Sequence, residues 1–343
     1  MTGERHDPAL LARARTGDET AFASVIEPYR GELHAHCYRM LGSVHDAEDA
    51  MQEALLRAWR ALARFEGRSS LKSWLYRIAT NACLKTIERR PRRVLPIDYG
   101  PAADPHDPLS PPLVESVWLE PYPDTTLELE DQLASPAARY EQRESVELAC
   151  VAAVQHVPAR QRAVLILRDV LGFSAREVAE TLEMTPAAVD SALQRAHKAA
   201  DERLPARSQQ VTLRALGDKR VREMVDGFVD AWERADVDSV VAMLAHDATI
   251  AMPPHPTWYR GRDAVERFLR GIALAPGIRW RLVPISANRQ IAFGEYSWNE
   301  TTARFVGRAV MVLTIAGVSI ADITAFGSPQ LLARFGLPEQ LEH

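Results

Sequence analysis

Residues Ser174–Lys198 read SAREVAETLEMTPAAVDSALQRAHK. Ser174 and Glu177 have the spacing of a capping box, in which the serine oxygen accepts from the third amide of a helix and the glutamate reaches back to the cap. Val178, Ala179 and Leu182 then share one face of a short helix. Thr185 stands as the next cap, with Pro186 at the first helical position, where a missing N–H is harmless. Two short helices across so tight a turn make a helix-turn-helix, whose second helix enters the DNA major groove. On that helix Val189, Ala192, Leu193 and Ala196 face inward, so Ala187, Asp190, Ser191, Gln194, Arg195 and Lys198 point outward. Arginine and lysine reach guanine edges or phosphates, glutamine reads adenine, and alanine meets a thymine methyl. Asp190 suits a cytosine amino group or the orientation of a neighbour. Pattern alone leaves open a helical hairpin inside a bundle.

Working outward, the 343 residues allow two or three folded cores, and a hydrophobic fraction of 47% excludes a wholly disordered chain. No apolar run approaches the roughly 18–20 residues that cross a bilayer, and the charged start lacks a secretory signal, so the protein is expected in the cytoplasm, away from membranes. Cys37, Cys83 and Cys150 are too widely spaced for a zinc site or a disulfide framework and read as small buried hydrophobes. A net charge of −5 argues against nucleic acid, but the charge is segregated. Between Val94 and Ala138 there are nine acids and no Lys or Arg, which leaves the remainder at +4. The same stretch holds nine of the 22 prolines, which deny helix and sheet their donors. Residues 95–139 are therefore expected to be an acidic, proline-rich linker.

Upstream, HDAEDAMQEALLRAWRALARF (His45–Phe65) has a helix start at Ser43 and an apolar face of Ala47, Met51, Ala54, Leu55, Ala58 and Leu62. Asp46, Asp49 and Glu53 gather on another face, which taken alone suits a solvated acidic surface near a helix N-terminus. In the following segment Phe65, Trp74 and Tyr76 alternate with Arg68, Lys72, Arg77, Lys85, Arg89, Arg90, Arg92 and Arg93. Cations neutralise phosphates and aromatic faces stack unpaired bases, so this composition suits melted DNA, although Trp74 fits a core equally well. Ser69, Ser70 and Asn81 add small groups able to read base edges or to cap helices.

The run from Ala21 to Leu84 resembles region 2 of the extracytoplasmic-function branch of the sigma-70 family, bacterial RNA polymerase initiation factors. The resemblance implies that Asp46, Asp49, Gln52 and Glu53 bind the clamp helices of the polymerase β′ subunit. It implies further that Arg68, Ser69, Ser70, Trp74, Arg77 and Asn81 melt the −10 element and trap a flipped base, whose extrusion costs a few kcal/mol. Val157–Ala200 resembles sigma region 4, which implies −35 recognition by Ala187, Asp190, Ser191, Gln194, Arg195 and Lys198 and a contact with the β flap. Two weak readers on one tether gain through effective concentration, and an acidic tether suits the RNA exit path.

The last third opens with a helical pattern and continues in alternating runs such as Arg279–Ile285, Gln290–Trp298 and Arg308–Ile315, the period of strands. Met224–Gly271, with these strands, resembles the SnoaL-like or ketosteroid-isomerase-like α+β cone, which a subset of extracytoplasmic-function sigma factors carries at the C-terminus. Alignment with the isomerases puts Phe228 where they have a tyrosine and Met252 where they have an aspartate. Neither is a base or an oxyanion donor, so catalytic residues are expected to be absent. An apolar cup lined by Trp232, Met252, Trp258 and Tyr259, with Phe268 and Phe293, is expected either as core or as a ligand pocket, with His255 and Asp322 as polar candidates for other chemistry.

The expected architecture is two all-α domains, 7–94 and 140–205, flanking the linker 95–139, followed by an α+β cone-shaped domain, 208–343. The expected function is that of a promoter-specific RNA polymerase sigma factor with no cofactor and no metal. Its partners would be core polymerase and −35 and −10 promoter DNA, with a small-molecule ligand or an intramolecular contact, FGLPEQL (Phe335–Leu341) included, for the last domain. The rivals are a ligand-sensing helix-turn-helix regulator that ignores polymerase and an isomerase-like enzyme carried by a DNA-binding anchor.

Overall fold

The computed structural model describes residues 7–113, 117–126 and 145–342. The chain forms two compact units, Met1–Arg93 with Thr125–Leu204, and Val94–Asp124 with Pro205–His343.

The first unit is helical. Its first half holds α1 (Pro8–Arg15), α2 (Glu19–Leu41), α3 (Val44–Ala61) and α4 (Leu71–Ile87). Asp18 caps α2 by accepting from Ala21 N, and Gly42, at φ 69°, ends it in the left-handed region that a side chain disfavours. Ser43 then accepts from Asp46 N at 3.1 Å and starts α3, as the sequence predicts. Ala47, Ala50, Met51, Ala54 and Ala58 are buried against α2 and α4. Cys37 and Cys83 are fully buried, while Cys150 is half-buried.

The second half holds α5 (Leu148–Gln155), α6 (Ala159–Leu165), α7 (Ala175–Leu182) and α8 (Pro186–Asp201). The Ser174–Glu177 capping box forms in both directions, and Thr185 Oγ1 accepts from Ala188 N at 3.2 Å. The two halves of this unit pack together. Buried Arg162 donates to Met40 O and Gln155 Oε1 at 2.5 Å each, and Arg39 Nε donates to Ser145 Oγ at 2.9 Å. The Tyr76 and Phe173 rings meet edge to face at 5.3 Å.

The second unit is α+β. Helices α9 (Gln209–Leu216), α10 (Asp218–Glu233) and α11 (Val237–Ala242) precede strands β1 (Leu244–Ala251) and β2 (Trp258–Arg260). Helix α12 (Arg262–Phe268), strands β3 (Trp280–Ala287), β4 (Gln290–Asn299), β5 (Arg304–Ala316) and β6 (Ser319–Phe326), α13 (Pro329–Arg334) and β7 (Gln340–Leu341) complete it. The sheet runs β2-β1-β6-β5-β4-β3, antiparallel except for β1 on β6, with β7 added to β5. At the bulge between Thr314 and Ile315 the Gln209 amide both donates to Ile315 O and accepts from Ile315 N, so α9 satisfies the backbone groups the bulge frees.

One expectation needs correction here. The stretch 95–139 is not a free spacer throughout, because residues 94–124 pack on the C-terminal unit as a strap. Proline removes many of the strap's donors, and two of the remaining amides find partners on that unit: Ala103 N on Trp258 O and Leu113 N on Pro254 O, each at 2.9 Å. Tyr122 and Asn288 exchange two further bonds, and Ala103 and Leu109 pack on the apolar core. Glu115, Glu128, Glu130, Asp131 and the expected domain start at 140 lie outside the described residues. The tail Phe335–Leu341 folds onto its own sheet: β7 pairs with β5, and Tyr296 Oη donates to Pro338 O at 2.8 Å.

Candidate polymerase and nucleic-acid interface

On α8, Val189, Ala192 and Ala196 are buried and Leu193 half-buried, which turns the opposite side outward. All six predicted reading residues, Ala187, Asp190, Ser191, Gln194, Arg195 and Lys198, are exposed. Among the described residues neither Arg195 nor Lys198 is held in an ion pair, so both cations are available to an anionic partner. His197, which sequence reasoning passed over, is also exposed and bonds through Nε2 to Asp169 Oδ2 at 2.5 Å.

On α3 the four predicted contact residues divide. Asp49, Gln52 and Glu53 are exposed. Arg57 Nε donates to Glu53 at 2.8 Å, and this bond holds the Glu53 carboxyl below the usual carboxylate range, so Glu53 stays ionised. Asp46 departs from the expected acidic surface. It is 2% exposed and enclosed by Arg90 and Arg93, since its place in the first turn puts it beneath the chain that returns after α4. A carboxylate buried among guanidinium groups is a structural tie rather than a docking group.

Beside Gln52 lies a concavity of about 530 Å³ whose apolar wall is Phe22, Leu55, Leu56 and Trp59. Leu56 is 52% exposed. Sequence reasoning missed this surface; its available signal was that Leu56 and Trp59 fall off the buried face of α3, next to Gln52.

The −10 candidates also divide. Arg68 is strongly exposed and pairs with Glu66 at 2.7 Å. Ser70 caps α4, Ser69 is half-buried, and Arg77 and Asn81 are exposed on α4, with Lys85 one turn beyond Asn81. Trp74 is corrected to core: it is 7% exposed, with its ring 5.1 Å from that of Phe65. Tyr76 is fully buried, and its hydroxyl donates to Glu32. The two aromatic side chains of this helix are thus buried, Trp74 against Phe65 and Tyr76 against α2 and Phe173, and offer no open face to bases.

In the second unit the expected cup residues pack on one another. Phe228 stacks on Trp232 at 5.4 Å and on Phe293 at 5.5 Å, and Tyr259 stacks on Phe268 at 5.2 Å. Trp258 is buried and donates from Nε1 to Gly100 O of the strap, and Met252 is half-buried against the core. Of the polar candidates, His255 meets Ser110 O through Nδ1 at 2.8 Å, and Asp322 accepts from the Thr249 hydroxyl. One acid was missed: Glu295 of β4, 6% exposed, whose carboxyl burial lifts to about 7 although Trp232 beside it pulls the other way. No periodicity marks it, because a buried acid on a strand looks like any outward polar residue.

Comparison with known proteins matches residues 25–93 to Sigma-70 region 2, residues 148–199 to Sigma-70 region 4 and residues 225–323 to the SnoaL-like domain. The chain is 41% identical over 336 residues to the extracytoplasmic-function RNA polymerase sigma factor SigG of Mycobacterium tuberculosis, covering 96% of this chain and 86% of that one. The chain belongs to the extracytoplasmic-function sigma factors. The sigma-E factor of Escherichia coli is a more distant relative, 27% identical over 204 residues, which cover 60% of this chain and 97% of that one. The crystal structure of Mycobacterium tuberculosis SigJ, 20% identical, shares the fold over 92% of this chain and 99% of that one with a TM-score of 0.57. This extracytoplasmic-function sigma factor thus has the helical regions 2 and 4 followed by a SnoaL-like α+β domain, and its relatives are RNA polymerase sigma factors. No described helix is long and apolar enough to cross a membrane.

Proposed function

We propose that this sigma factor binds core RNA polymerase through α3 and addresses promoters through α4 and α8, acting in the cytoplasm. The outward set on α8 carries the reading: six predicted side chains are exposed together, and the two cations among them have no carboxylate partner among the described residues. Asp49, Gln52 and Glu53 dock on the β′ clamp helices, with Leu56 and Trp59 adding apolar contact at their side. Arg68, Ser69, Ser70, Arg77 and Asn81 engage the opened −10 strand, region 4 contacts the β flap, and α8 reads the −35 element. The SnoaL-like domain regulates this activity, and residues 94–124, which join the two sigma regions in sequence while packing on that domain, are the physical link.

Run-off transcription with purified core polymerase tests the reading. The Asp49→Lys/Glu53→Lys variant is expected to lose co-elution with core and all promoter-dependent transcript, whereas Arg195→Ala retains co-elution. Unchanged core binding in the charge-reversed variant overturns the α3 assignment. Unchanged transcription and regulation after removal of residues 208–343 overturns the regulatory role.

A further inference from the structure

We infer that the SnoaL-like unit carries a binding site for a small phosphate-bearing anion, formed by Arg260, Arg262 and Arg267. Strand β2 ends at Arg260, and Gly261, at φ 88°, turns the chain directly into α12. The three arginines thereby line one open concavity of about 460 Å³, walled also by His246 of β1 and Pro105 of the strap. Ligand sites commonly enclose about 300–1,000 Å³. Against three guanidinium groups the lining supplies one carboxylate, Asp263, an excess of two positive charges with the histidine neutral.

Among the described residues none of these arginines is committed to an ion pair. Arg260 lies over the Trp258 ring at 5.0 Å, and Arg267 is exposed. Arg262 donates one N–H to Leu244 O, which fixes its position, while its buried Nε has no acceptor. Two acids outside the lining lie within electrostatic range, Asp322 of Arg260 and Asp104 of Arg267, but neither forms an ion pair with them: Asp322 accepts from Thr249, and Asp104 is bonded to His106.

Guanidinium forks match phosphate oxygens in paired hydrogen bonds, and a phosphate monoester carries nearly two negative charges at neutral pH. Such a dianion balances the excess charge of the lining, whereas a single carboxylate leaves part of it unmatched. The phosphodiesters of a DNA duplex carry one charge each along an extended line, which three arginines gathered around one concavity suit less well. Because Pro105 is part of the wall, an occupant touches the strap and the domain together. The assignment stands on this cluster and is independent of the promoter reading.

Titration calorimetry on the full chain tests it, with inorganic phosphate and with glycerol phosphate as separate probes at constant ionic strength. Saturable one-to-one binding is expected for at least one probe, weakened about tenfold or more in Arg260→Gln/Arg267→Gln. Both positions are exposed, and an unchanged thermal midpoint of the unliganded variant confirms that the fold is intact. No saturable heat with either probe, equal affinity in the variant, or an equal response to chloride overturns the proposal. So does a short DNA duplex that binds wild type more tightly than either probe and loses that binding in the variant, because the surface is then a nucleic-acid contact.

Discussion

Arg93 reaches the Asp46 carboxylate through both Nη2, at 2.5 Å, and Nε, at 3.1 Å, with both side chains buried. The pair joins the first turn of α3 to the chain that follows α4, 47 residues later. Removing Arg93 leaves the buried carboxylate with the partly exposed Arg90 as its remaining partner, so the loss falls below the cost of a fully broken buried pair, at about 1–3 kcal/mol. Arg93→Ala is therefore expected to destabilise the helical unit by about that much in urea unfolding, and Asp46→Asn, which takes the counter-charge from both arginines, by at least as much. A loss of core binding in Asp46→Asn with stability unchanged would show that Asp46 acts as a docking group after all.

Arg195 points outward from α8 and is expected to read one position of the −35 element. Arg195→Ala should cost about 1–3 kcal/mol on the best promoter and relax selectivity at a single base pair. Lys198→Ala should weaken all promoters alike and lower the salt dependence. Binding of a panel of −35 variants by the reconstituted holoenzyme separates the two patterns.

Glu295 predicts a pH dependence with a definite sign. Its carboxyl titrates at about 7 in the folded unit against 4.5 for the ordinary side chain, because burial disfavours the charged form. Below pH 4.5 both states are protonated and the group is neutral to stability. Between 4.5 and 7 the unfolded chain releases its proton first, so stability falls as pH rises, then levels off above about 7 at a loss of about 3 kcal/mol. Glu295→Gln is expected to remove this slope and raise the thermal midpoint at pH 8. A midpoint of wild type that is level from pH 5 to 8 after correction for the Gln variant would refute it.

Gly307 and Gly294 keep the sheet clear for the C-terminal segment. A Cβ on Gly307 would overlap Leu332 Cδ1 and approach Glu339 O to 3.3 Å, and one on Gly294 would overlap Leu337. Gly307→Ala is expected to lift the tail from β5 at a cost of about 1–3 kcal/mol. Faster proteolysis after residue 328, with the remaining sheet intact, is the measurement.

The caps and faces of α3, α7 and α8 were legible because they are local. Ser43, Ser174 and Thr185 act within three residues of themselves, and a period of 3.6 separates Val189 and Ala192 from Arg195 and Lys198. Trp74 was not legible in the same way. Whether an aromatic on an amphipathic helix meets solvent or core depends on what crosses it, here Phe65 from the preceding loop. The apolar wall of Phe22, Leu56 and Trp59 escaped for a similar reason, since one of its members comes from α2.

From the chain alone came the three-part order and the helix-turn-helix with its outward residues, because residue identity and short-range spacing are enough for each. The burial of Asp46 under Arg93, the stacking of Phe228 on Phe293 and the docking of the strap against β2 required the folded molecule. Those outcomes join residues dozens to more than a hundred positions apart, and their energies come from desolvation and from backbone groups finding distant partners, neither of which leaves a local pattern.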